Sequence, residues 1–100
     1  MTTIPATAAV LYGLSVTIDL AADRGRDARP VIDAGRTFTA TIGNTPPGRA
    51  SVYLRDAGAT FLRAWARHEP PDKAADLIRA AEDLETARDL AIATMPRLDA

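Results

Sequence analysis

The chain has 100 residues, 47% of them hydrophobic and 25% charged, and a net charge of −1 at neutral pH. These values fit a single globular domain over 1–100 and give no reason to expect a strongly charged partner. With no cysteine and one histidine, His68, the chain lacks disulfides, thiolate nucleophiles and any multi-histidine metal site of its own.

All basic residues but Lys73 are arginine and alanine is abundant, a pattern we attribute to a GC-rich coding sequence. The number of arginines therefore carries little functional weight. The N-terminal stretch has no basic residue before Arg24, so no signal peptide is expected. No apolar run approaches the roughly 20 residues of a membrane helix. The expected location is the cytosol, of a bacterium or, for a virus-encoded protein, of its host.

Residues 8–20, AAVLYGLSVTIDL, place Val10, Tyr12, Leu14, Val16, Ile18 and Leu20 at alternate positions. Leu11, Gly13, Ser15, Thr17 and Asp19 fall between them. This period-2 pattern predicts a half-buried β-strand. At 13 residues it would run roughly 43 Å, far longer than a typical strand, so it must bend or reach beyond its own subunit. A charged loop over 21–35 follows, and Val31 and Ile32 are compatible with a short strand at 30–33, turning at Gly35. Residues 36–43 alternate Phe38, Ala40 and Ile42 with Thr37, Thr39 and Thr41 and predict another strand.

The helical part comes next. Thr45 with Pro46, or Ser51, can start a helix over 46–68, with Ala57, Gly58, Phe61, Leu62 and Trp65 on one face. Pro70 ends it. A second helix is predicted over 71–94, with Pro71 at its first position, Asp72 at the positive end of the dipole, and an apolar stripe from Leu77 through Ala81, Leu84, Ala91 and Ile92 to Met95. The short connection makes the two an antiparallel hairpin, and Ala57, Gly58, Ala74, Ala81 and Ala91 allow a close approach. The fold class expected is α+β, in β-β-α-α order. A small antiparallel sheet of two strands, or three, is covered on one face by the helical hairpin.

No catalytic constellation is visible. His68 can be read as a general base or as a helix-end histidine on the last carbonyls, and the second reading is favoured because no nucleophile stands at a recognisable distance. Trp65, Phe61 and Phe38 sit at core spacings. In the 23–29 loop, Arg24, Arg26 and Arg29 resemble a phosphate grip, but Asp23 and Asp27 are interleaved, and a self-paired, solvated loop is the expectation. Arg88 falls within the apolar stripe of the second helix. It must snorkel, pair with Glu85, or meet a carboxylate across an interface.

The function expected is that of a non-enzymatic interaction or assembly module without cofactor or metal, joined to itself or to a protein partner through its sheet edge. An accessory subunit, a virion component or a small toxin-neutralising protein would fit. Leu11, Gly13, Ser15, Thr17 and Arg88 are the candidate interaction residues. The alternative is a nucleic-acid-associated regulator using Arg55, Arg63 and Arg67. No membrane contact is expected.

Overall fold

A computed structural model describes residues 5–42 and 48–94. Its elements are α1 (Ala6–Asp23), α2 (Arg29–Thr39), α3 (Arg49–Ala66) and α4 (Pro71–Thr94). There is no strand among the described residues, so the α+β expectation, with its antiparallel sheet and sheet edge, is replaced by an all-helical architecture. Thr45, Pro46, Met95 and Pro96 lie outside the described residues.

The first correction has a plain physical cause. In α1 nearly every position is apolar, so alternate residues match a strand and residues three or four apart match a helix equally well. Length decides between them. Eighteen helical residues span about 27 Å, which one small domain can cover, whereas a strand of similar length would outrun it. The residues α1 buries are Ala8, Leu11, Ser15 and Ile18, at helical intervals. Val10, Val16 and Leu20, expected in the core, are exposed instead.

The second predicted strand and the short one at 30–33 both fall within α2 or just beyond it. Ile32 and Gly35 are buried, and Val31 and Phe38 are half-buried against the core. Thr39 and Thr41 turn their hydroxyls back to the carbonyls of Arg36 and Phe38, a local bond that lets β-branched residues end a helix. Gly35 has no positive φ and forms no turn. Its lack of a side chain matters for packing, because an added Cβ would fall 2.2 Å from two Phe61 ring carbons.

Helices α3 and α4 lie where the sequence pattern places helices. Gly48, with φ of 147°, precedes α3. Ser51 is inside the helix, where its hydroxyl bonds the Gly48 carbonyl, so it is not the cap. The pairs Asp56–Arg88 and Arg63–Glu85 run in opposite chain directions, making α3 and α4 antiparallel. Tyr12–Asp56 and Asp19–Arg67 run in the same direction, making α1 and α3 parallel. Helix α2 returns between them, with Gly35 on Phe61 and Arg36 over Trp65.

Helix α3 is the hub. It packs against all three other helices, and α2 also packs on α1. Ala57, Gly58, Ala59, Phe61, Leu62, Ala64, Trp65 and Ala66 are buried along it. The small residues set the spacing to α4, where Ala81 is fully buried and Leu84 comes within 3.1 Å of a Cβ placed on Gly58.

Candidate functional site

Helix α1 is fixed along one side and open along the other. On the fixed side, the Tyr12 hydroxyl donates to Asp56 Oδ2 at 2.5 Å, and Asp56 Oδ1 accepts from Arg88 Nη1. Three helices are tied in this layer. One end of α1 is held by Arg67 Nη1 on Asp19 Oδ1 at 2.6 Å. Beside it, His68 Nε2 lies 3.3 Å from the Ile18 carbonyl oxygen. A carbonyl only accepts, so this contact calls for the proton on Nε2. The His68 side chain therefore bonds a carbonyl of α1 and not one of its own helix.

The polar layer also perturbs Tyr12. Burial, then the bond to Asp56 and its charge, push the phenol well above its ordinary value. Arg88 is held in its charged form by its bonds to Asp89 and Asp56. Its carboxylate partner on the facing helix belongs to this same chain, while Glu85 is taken by Arg63 through a bidentate pair at 2.6 and 3.1 Å. Arg88 thus braces the fold instead of offering an unmatched charge to another molecule.

On the open side, Val10, Val16 and Leu20 are 42%, 58% and 46% exposed. Gly13 lies among them with nothing within 4 Å of where its Cβ would be. Ala9 and Thr17 are exposed beside it, and the Thr17 hydroxyl is turned back to the Gly13 carbonyl. Of the predicted interaction residues, Gly13 and Thr17 reach this face. Leu11 is fully buried, and buried Ser15 bonds the Leu11 carbonyl, so neither is available to a partner. The residues that sequence reasoning missed are Val10, Val16 and Leu20. A 3.6-residue reading of 8–20 groups them on one face with Gly13 and Thr17, and only the packing of α1 turns that face outward.

By length and composition, α1 is also the one helix among the described residues that could cross a membrane. The predicted nucleic-acid face is largely consumed. Arg63 and Arg67 are paired with Glu85 and Asp19, which leaves Arg55 alone of the three without an ion-pair partner among the described residues. No group of metal-binding side chains occurs among the described residues.

No protein-family model matches this chain, and no curated protein or solved structure matches it.

Proposed function

We propose that the protein is a non-enzymatic helical assembly module whose copies join through the outer face of α1. The carrying observation is the row Val10, Val16 and Leu20 exposed around an open Gly13 on a helix whose other side is pinned. A glycine within an exposed helix costs about 0.5–1 kcal/mol relative to alanine. No contact among the described residues uses the missing Cβ of Gly13. Close approach of a second helix would use it, as small residues do wherever helix axes come near.

The face is self-complementary. In an antiparallel pair centred on Ser15, Gly13 meets Thr17 of the second copy and Val10 meets Leu20, small against small and large against large. A twofold contact of this kind closes on itself and forms a dimer.

The test is light scattering coupled to size exclusion, with Val16→Arg as the variant. The wild type should run as a dimer at micromolar concentration. Val16→Arg should run as a monomer with an unchanged helical spectrum, since Val16 touches no core. A wild type that stays strictly monomeric at about 100 μM, a concentration at which a contact worth about 5.5 kcal/mol would be half formed, overturns the reading.

A further inference from the structure

We propose a second site, distinct from the outer face of α1: a cavity that binds a tetrahedral oxyanion, either free phosphate or the phosphoryl group of a larger ligand. The cavity has a volume of about 160 Å³ and is lined by Arg26, Asp27, Ala28, Arg29, Ile32, His68 and Glu69. It lies where the α1–α2 loop and the start of α2 meet the turn that follows α3.

Its carboxylates are committed elsewhere. Asp27 Oδ1 accepts the Arg29 backbone N–H at 3.0 Å. Glu69 Oε1 accepts the Trp65 indole N–H at 3.1 Å, and its Oε2 lies 3.4 Å from Lys73 Nζ. The guanidinium groups of Arg26 and Arg29, by contrast, make no hydrogen bond or ion pair among the described residues. The self-paired loop expected from the alternating charges of 23–29 does not form. Asp27 is drawn into the backbone of α2, and Asp33 reaches forward to Arg36.

Each cavity element is also held in place from behind. Arg26 follows Gly25, whose φ is +64°, and its N–H bonds the Ala21 carbonyl while that of Gly25 bonds Ala22. This pair of bonds is the Schellman closure of a helix, and only a residue free to take positive φ makes it without strain. Arg29 is set by the Asp27 bond, and His68 by the Ile18 carbonyl. The two guanidinium groups are anchored at their backbones, Arg26 without an ion-pair partner among the described residues and Arg29 within electrostatic reach of a Glu69 already bonded to Trp65 and Lys73, so both keep N–H donors for oxyanion oxygens. The volume is ample for a phosphoryl group, and the remainder of a larger ligand would extend into solvent.

The experiment is a titration of the full chain with sodium phosphate, followed by backbone amide shifts at fixed pH against sodium chloride at matched ionic strength. Saturable shifts are expected at 26–32 and at His68, from phosphate alone. Arg26→Ala and Arg29→Ala should each weaken binding about tenfold, the scale of one charged hydrogen-bonding partner. Arg29→Lys should weaken it less, and Arg24→Ala, whose side chain lies outside the cavity, should leave it unchanged. Both arginines are exposed, and far-UV circular dichroism checks that the variants keep their helices. A second arm uses vesicles containing phosphatidic acid. Co-sedimentation that Arg26→Ala and Arg29→Ala reduce identifies a lipid headgroup as the source, and phosphate shifts without co-sedimentation identify a soluble ligand. Shifts that chloride reproduces, that rise linearly without saturation, or that persist in the Arg26→Ala/Arg29→Ala double variant overturn the site.

Discussion

Tyr12, Asp56 and Arg88 form the polar layer at which α1, α3 and α4 meet, and their order of dependence is unequal. Asp56 serves two donors, so its removal leaves the phenol without its acceptor and the guanidinium with Asp89 alone, whereas Tyr12→Phe removes one donor and keeps the Asp56–Arg88 pair. Tyr12→Phe should cost about 1 kcal/mol in urea unfolding, the usual net worth of one hydrogen bond, and Asp56→Ala more. The layer also has an alkaline signature. The folded pKa of Tyr12 is raised, so its contribution is complete below about pH 10, the unfolded value, and is lost above it as the unfolded chain ionises first. Glu85 and Glu69 act at the other end. Arg63 beside Glu85, and the Trp65 indole and Lys73 beside Glu69, hold both carboxyls below the ordinary range, so their contribution is present at neutral pH and is lost as pH falls through the carboxylate range. Thermal midpoints followed across pH should show a plateau with two flanks, and Tyr12→Phe should flatten the alkaline flank alone.

Among the elements, the glycines of α1 and α2 occupy similar helical positions and should respond oppositely to the same substitution. In α2, Gly35 sits against a fully buried Phe61 ring, and a Cβ at 2.2 Å cannot be accommodated without moving that ring. Gly35→Ala should destabilise by about 1–3 kcal/mol, the range for overpacking a core. In α1, a Cβ on Gly13 would meet nothing among the described residues. Gly13→Ala should raise the stability of the isolated chain by up to about 1 kcal/mol through helix propensity. On the proposed assembly face it should also weaken the dimer. Denaturant unfolding at low concentration, set beside light scattering at high concentration, separates the two effects. Equal behaviour of the two variants would contradict the packing described for α2 and α1.

At the scale of the whole molecule, the hub arrangement sets a gradient of stability. Helix α3 is covered by three neighbours, while α4 packs chiefly on α3 and exposes Leu90 and Ile92 toward its end. Local opening follows the density of buried apolar contacts. Amide exchange should therefore be slowest along Ala57–Trp65 and fastest in the last turns of α4, with the inner-face positions of α1 between them. Uniform protection along α4 would contradict this.

The sequence by itself determined the helical hairpin, because proline and glycine bound it and its apolar residues recur at a period that no strand shares. It also determined the small-residue seam at Gly58 and Ala81, whereas for Arg88 it left snorkelling and a carboxylate partner both open. Only the tertiary structure decided the first half of the chain. An α1 that is apolar almost all round satisfies a two-residue and a 3.6-residue period at once, and what it packs against selects between them. Once Leu11, Ser15 and Ile18 are taken as the inner face, Val10, Val16 and Leu20 are turned outward. The charged loop was undecided for a similar reason. Neighbouring arginines and aspartates can pair or not, and the choice rests on where the backbone of α2 begins. That start draws Asp27 onto an amide and leaves Arg26 and Arg29 facing a cavity.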